Sequence, residues 1–326
     1  MISHRTAIAA MLAALSFLGA GIAATAQSYP THPIRLMVPF PPGGPTDVVA
    51  RIVANSISPI LGQSVVVESR PGGAGGTVGG KIVASADPDG YTLLISQAGA
   101  LTITPSLYKL DYDPLKDFAP VAIIVQSPHI LTVNPELPAH SVAELIAYAR
   151  ANPGKVNFAS PGIGTQPHLL GELLQIVGNI KLVHVPYRGS APAIIDLLAG
   201  QVQMMFDSPS VMLPHIEAGK LRALAVTSES RIAPIPDVPT VGEAGYPQLV
   251  TTFWTGLLAP AGTPQPIIQK LNAAINDGLK APDVQASVHK LGVDTKAVTP
   301  QEFGAFMAAE THKWAQVVAE AGIKGE

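Results

Sequence analysis

Three stretches of this chain repeat one arrangement: an apolar, β-branched run, a turn of glycine and proline, then a helical pattern. They are "VPFPPGGPTD" at residues 38–47, "ASPGIGTQPHLL" at 159–170 and "VPYRGSAP" at 185–192. Turns of this kind do chemistry with the main chain. The first-turn N–H groups of a helix have no acceptor inside it, and the helix dipole adds partial positive charge there. Such a start is a ready anion site. With Gly44 as N-cap, Pro45 falls at the first helical position, where a missing N–H costs nothing, and Asp47 falls at the third. Gly43 and Gly44 carry no Cβ, so a ligand can approach the backbone closely. In the second stretch Thr165 or Gln166 is the N-cap and Pro167 lies in the first turn, while Thr165 adds a hydroxyl and His168 an imidazole. In the third, Tyr187, Arg188 and Ser190 lead into a helix. Three such starts at one cleft hold an anion better than any one of them.

Other candidates sit at strand ends. Asp207 closes "MMFD" and Ser96 and Gln97 close "TLLISQ". Phe40, Tyr187, Phe253 and Trp254 are aromatics able to supply flat walls. Each residue also has a plainer reading. Asp47 taken alone is better read as the cap of its own helix, a lone histidine such as His168 is more often structural, and Asp207 serves equally as a turn cap. Aromatics at these places more often belong to the core. Catalytic patterns are missing. "GGTVGGKI" approaches a phosphate-binding loop, but Ile82 stands where a magnesium-binding hydroxyl belongs and the spacing from the strand is wrong. No G-x-S-x-G elbow occurs, no carboxylates pair, and the nine histidines are scattered without metal-site spacing. No metal or cofactor is expected, and no catalytic residue.

The elements that position these residues form two cycles. "IRLMVPF", "SVVVESR" and "YTLLISQ" read as strands alternating with helices, the second of which starts near Thr77, a β-α-β-α-β order that predicts a parallel sheet covered on both faces. The order restarts after residue 134. Ser141 and Glu144 make a capping box for the helix "SVAELIAYARANPG", and strands "VNFAS", "LVHVPY", "VQMMFDS" and "LRALAVTS" alternate with helices after it. "VPF" at 38–40 and "VPY" at 185–187 echo each other, each closing a strand. Long extended segments at 119–134 and 249–260 read as two crossings, with the C-terminal helices returning to the first unit. Two α/β domains follow, residues 27–126 with 250–326, and residues 127–249. Domains joined by two strands can close like jaws on a cleft.

Composition narrows the class. Charged residues are 13% of the chain and the net charge is −3, with no basic stripe, so no nucleic-acid partner is expected. Residues 1–26 read as a cleaved leader, with an apolar run ending in "ATA" and cleavage after Ala26. With no cysteine, neither a lipid anchor on that residue nor a disulfide is available. A soluble protein exported to the periplasm is expected, acting as a monomer.

"YPTHPIRLMVPFPPGGPTDVVAR", "PDGYTLL", "HVPYRGSAPAIIDLLAGQVQMMFD", "GKLRALAVTS" and "PDVPTVGEAGY" together resemble the periplasmic solute receptors of tripartite tricarboxylate transporters, the Bordetella uptake gene (Bug) family. The resemblance runs in order along the chain after the leader. It implies a type II periplasmic-binding-protein fold: α/β, two domains with a central cleft and two crossover strands. It also implies a small organic carboxylate as ligand, held between two loops by backbone N–H groups, hydroxyls and water, and membrane permease subunits as partners. Carried over by position, Pro42, Gly43, Gly44, Thr46 and Asp47 belong to the first loop, Gly162, Gly164, Thr165 and His168 to the second, and Asp207 to the cleft. The chain departs from the usual pattern at Arg188, where many members have Lys, and at Ser96–Gln97, where Gly–Thr is more usual. The second departure, and Gln166 with Pro167, bear on which acid is taken. Phe40, Ser96, Gln97, Tyr187, Asp207 and Trp254 are expected around the far end of the ligand, a lining that suits a dicarboxylate or an aromatic acid.

Two rival classes remain open from sequence. A signalling receptor uses the same closure, and loss of uptake against loss of a transcriptional response separates the two. An exported enzyme acting on small acids needs a nucleophile, metal or acid–base pair in the cleft.

Overall fold

Burial sorts the strands first. In β1 (Ile34–Val38) every residue but Arg35 is buried, the mark of a strand covered on both faces. The computed structural model describes residues 29–73, 76–187 and 189–325. Met1–Thr31 and His32–Glu326 are separate units, and the fold below is that of the second. The expected leader at 1–26, Gly75 of "GGTVGGKI" and Arg188 lie outside the described residues.

β1 lies between β2 (Val65–Ser69) and β3 (Thr92–Gln97), parallel to both. The helices Pro45–Leu61 and Thr77–Ala84 connect them. β4 (Phe118–Ser127) follows, and the chain then leaves to build a second sheet from β5 (Ile130–Val133), β6 (Asn157–Ser160), β7 (Val183–Pro186), β8 (Met204–Asp207) and β9 (Arg222–Val226). It returns as β10 (Phe253–Pro260), and β11 (Asp294–Thr295) closes the first sheet. The orders are β11-β4-β10-β3-β1-β2 and β7-β6-β8-β5-β9.

The three strands expected to lie parallel do so, but antiparallel strands join both sheets. β10 runs antiparallel to β3 and β4, and β5 antiparallel to β8 and β9. In each sheet the reversed central strand is the first one laid down after the chain crosses over. The crossings run through Pro128–His129 and through residues 227–252. Thr227 ties them together: its hydroxyl accepts the His129 N–H at 2.9 Å and donates to the Thr251 carbonyl at 2.7 Å.

Three local details differ from the sequence pattern. Ser141 caps its helix by accepting the Glu144 N–H at 3.1 Å, but the Glu144 carboxylate takes the His140 N–H, so the box is only half formed. Residues Gly99–Ile103 form a π-helical turn running into a short helix, Thr104–Leu107, where "ALTIT" shows no helical period. Nor does the last helix, Pro300–Glu320, stay with the first sheet. Its Phe303 and Met307 pack with Trp254 and Leu258, while Trp314, Val317 and Val318 enter the core around Leu131, Phe158 and Met204. Each fully buried side chain of Phe or Leu size contributes about 1.5–3 kcal/mol, so this helix joins two cores.

Candidate functional site

One carboxylate folds the loop after β1. Asp47 is buried and turns its side chain back from the first helical turn. Its Oδ2 accepts the Gly43 N–H at 3.0 Å and Arg51 Nε at 2.9 Å, and its Oδ1 accepts the Ser69 hydroxyl at 3.0 Å. The hydrogen bond from Arg51 above all holds this carboxyl below the usual carboxylate range. Gly43 takes φ 78°, a left-handed conformation that glycine adopts without strain. Gly44 has φ −74° and donates to the Pro41 carbonyl at 3.3 Å. The N–H groups left for a ligand are those of Thr46 and Asp47, which the helix itself leaves without acceptors.

The loop after β6 is held by neutral groups. Ser160 Oγ accepts the Gly162 N–H at 3.2 Å, Thr165 Oγ1 donates to the Gly162 carbonyl at 2.7 Å, and the Gly164 N–H donates to His168 Nδ1 at 3.1 Å. The His168 ring stacks on His184 with centroids 3.9 Å apart and planes 13° apart, and His184 Nε2 meets the Ser160 hydroxyl at 2.7 Å. Glu172 stands 3.5 Å from His168 Nε2. Burial, with His168 adding to it, pushes the His184 imidazole down to about 3. Donor atoms of His168, Glu172 and His184 lie within 4.8 Å of one another. Ring nitrogens direct their lone pairs in the ring plane, so two nearly parallel stacked imidazoles do not aim at one ion. The cluster is better suited to propping the loop.

A cavity of about 750 Å³ lies between these loops. Of the residues singled out from sequence, Gly43, Gln97, Gly164, Thr165, Gln166, Pro167, Ser190, Asp207 and Phe253 line it. Pro42, Gly44, Thr46 and Gly162 belong to the same loops but do not face it. Six others point elsewhere. Asp47 and His168 are engaged as just described, and Phe40 is half-buried outside the lining. The Tyr187 hydroxyl donates to Asp196 at 2.6 Å. Ser96 is buried beside the core, and Trp254 is fully buried, edge-on to Phe303 at 5.3 Å. β10 presents Phe253 and Thr255 to the cavity instead, one residue either side of Trp254.

Sequence reading passed over several lining groups. Thr104, Leu107 and Tyr108 come from the unexpected helical turn, and Leu291 and Val293 from the segment before β11. Gln166, which was expected with Pro167 to bear on the acid taken, lines the cavity with a side chain fixed on three sides: it donates to Thr251 Oγ1 at 3.0 Å and the Thr252 carbonyl at 3.1 Å, and its Oε1 faces His129 Nε2 at 3.1 Å. His129 itself lies on the first crossing, where no local pattern marks it. No lysine or arginine occurs among the described lining residues, and Asp207 is the one carboxylate among them. What these described residues offer an anion is main-chain dipoles and hydroxyls.

The family model described as tripartite tricarboxylate transporter family receptor (TctC) matches residues 49–323. Protein BugT of Bordetella pertussis is 42% identical over 312 residues, covering 94% of this chain and 94% of that protein. The structure of periplasmic binding protein BugD is 39% identical, covers 91% of this chain and 100% of its own, and superposes with a TM-score of 0.70. R. palustris Rpa4515, solved with adipate, is 36% identical over 91% of this chain and 100% of its own, with a TM-score of 0.73. The type II binding-protein architecture expected from the sequence is the one these structures share with this chain.

Proposed function

This chain belongs to the tripartite tricarboxylate transporter receptor (TctC) family, and on that footing we propose that it captures a small organic carboxylate in the periplasm and delivers it to the membrane subunits of such a transporter. The observation that carries this reading is the pair of glycine-headed helix starts flanking one cavity whose described lining holds no cationic side chain. Helix N-termini hold a carboxylate through N–H groups without a counter-charge.

Residues 27–126 with 250–326 act as one lobe and 127–249 as the other, closing over the ligand about the two crossings. Closure brings the main-chain N–H groups of Thr46 and Asp47 on one side, and of Gln166 and His168 on the other, onto the carboxylate, although of these four residues only Gln166 lines the cavity as it stands. Gln97, Asp207 and Gln166 meet the rest of the molecule. The adipate bound to Rpa4515 supports a carboxylic acid as ligand class. The chain is a binding protein in this reading, with its leader removed on export.

A thermal-shift screen of organic acids tests it. A ligand at a hundred times its Kd adds about 2.7 kcal/mol of stability, so a match raises Tm by several degrees. Failure of every aliphatic and aromatic acid to raise Tm sinks the proposal.

A further inference from the structure

Gln166 opens the helix Gln166–Gly178, and its main chain and its side chain serve different partners. Thr165, the N-cap, donates its hydroxyl to the Gly162 carbonyl and caps nothing, so the first-turn N–H groups of Gln166 and His168 stay open to an anion. The side-chain amide is committed to the two crossings. Both its hydrogens go to the second, at Thr251 Oγ1 and the Thr252 carbonyl, and its Oε1 faces His129 Nε2 on the first. A carbonyl only accepts, which fixes the amide this way round.

The bonds continue away from the cavity. The Thr251 hydroxyl donates in turn to Glu310 Oε2 at 3.0 Å, and the same oxygen accepts Trp314 Nε1 at 2.9 Å. Glu310 and Trp314 belong to the last helix, the one that joins the two cores. Thr227 closes the ring. Besides its hydroxyl bonds, its N–H donates to the His129 carbonyl and its carbonyl accepts the Thr251 N–H, each at 2.9 Å. Gln166, His129, Thr227, Thr251 and Glu310 are all buried, none more than 6% exposed, yet only Gln166 and His129 of the five line the cavity. Such a network holds one arrangement firmly, because each buried member left unpaired is costly.

We propose that Gln166 is the positioning residue that makes carboxylate capture and lobe closure one event: its main-chain N–H meets the anion, while its side chain fastens that helix start to both crossings and, through Thr251, to Glu310 on the last helix. The inference rests on the carboxylate reading and the two-lobe closure proposed above, and adds the link between them. Closure bends the chain at the crossings. A side chain bonded to both keeps its three partners only if the helix start moves with them. An anion drawn to that helix start therefore biases the pivot, and the setting of the pivot decides whether the two loops meet on one carboxylate. Coupling of this kind is read from non-additive losses, not from contacts alone.

Thr251→Val tests the link from outside the cavity, which Thr251 does not line. The probe is whichever of succinate, malate, adipate and benzoate binds the parent protein most tightly by calorimetry. X-ray scattering should show the parent compacting when saturated with that acid. Thr251→Val should bind it about tenfold more weakly and compact no more than about half as much. Thr251→Ser keeps the hydroxyl and recovers both. Gln166→Met removes the same bond from the other end, keeps the main-chain N–H and gives the same pair of losses. In the Gln166→Met background, Thr251→Val costs no further affinity. Thermal melts without acid confirm folding. If Thr251→Val does not fold, Gln166→Met decides alone, and full compaction there overturns the proposal. Unchanged affinity and compaction in a folded Thr251→Val, losses that multiply in the double variant, or a parent that binds without compacting also overturn it. If all four acids fail to bind the parent, the carboxylate reading falls and takes this inference with it.

Discussion

The two loops that flank the cavity share a backbone plan and differ in what holds it. Both place a glycine at strongly positive φ, Gly43 at 78° and Gly164 at 76°, and both run into a helix with proline in its first turn. The first is braced by ions: a buried aspartate, an arginine whose side chain is 56% exposed, and a hydroxyl. The second is braced by a stack of neutral imidazoles on Phe158. Identical main-chain geometry is thus reached through charge on one side and through aromatic packing on the other. The two sides should answer differently to crowding, to acid and to salt.

The sharpest contrast concerns a single added methyl. A Cβ on Gly43 meets no atom within 4 Å, so Gly43→Ala costs only its left-handed backbone, roughly 1–2 kcal/mol. A Cβ on Gly164 lies 2.5 Å from Leu107 Cδ1, on the segment that follows β3. Leu107 Cδ1 is the end of a flexible side chain, so Gly164→Ala adds to the same strain the modest cost of turning it aside. Calorimetry should find an affinity loss of about 30-fold or more for Gly164→Ala and about tenfold for Gly43→Ala. Equal losses break the comparison.

Loss of the brace itself comes next. Asp47→Ala removes the acceptor of the Gly43 N–H and the Ser69 hydroxyl; Gly43 is exposed and Ser69 half-buried, so water replaces part of what is lost and the cost is about 1 kcal/mol. Thermal unfolding should register that cost, and affinity should fall by one factor for all acids, since the Asp47 side chain braces the loop and leaves only its N–H to the shared carboxylate. A change in their ranking would mean that the Asp47 side chain touches the variable part of the ligand.

These contrasts also mark what the sequence could tell. Glycine and proline punctuate each loop, so the helix starts were legible from local pattern alone. Face and partnership were not. Trp254 was expected at the ligand, yet it packs on Phe303, and Phe253 and Thr255 face the cavity. A one-residue error of parity turns every side chain of a strand over, and "TTFWTGLLAP" carries too little alternation to fix it. His129 left no trace because its partners Gln166 and Thr227 lie 37 and 98 residues away. The helical turn at 99–107 was missed because β-branched residues and Pro105 argue for extended chain, and burial beneath the last helix decides otherwise.

Acid should separate the loops by window. His184 has its pKa depressed from 6.5 to about 3, so the unfolded chain binds this proton more readily than the folded one. Its share of stability is complete above pH 6.5 and is lost as pH falls from there towards 3. Asp47 is depressed from 3.8, so its share is complete above that pH and is lost only below it. The groups facing His184 are His168, Ser160 and Phe158, with Glu172 beyond His168. Hydrogen exchange between pH 6.5 and 4 should therefore show the Gly164 amide losing protection before the Gly43 amide. The reverse order contradicts the assignment of a neutral brace to one loop and an ionic brace to the other.

Salt should have the smallest effect and fall on one loop only. Arg51 closes the ionic brace from the outside, and an ion pair with one exposed partner contributes about 0–1 kcal/mol, less as salt rises. Arg51→Ala leaves Asp47 its bonds to Gly43 and Ser69, so the loop keeps its shape and affinity should change by no more than about fivefold. The informative quantity is the salt dependence of that small change. In the parent protein, raising ionic strength should weaken protection of the Gly43 amide slightly and leave the Gly164 amide untouched. In Arg51→Ala the dependence at Gly43 should vanish, because the charge that salt screens is gone. A persistent dependence would place the salt-sensitive contact elsewhere and remove the ionic half of the contrast.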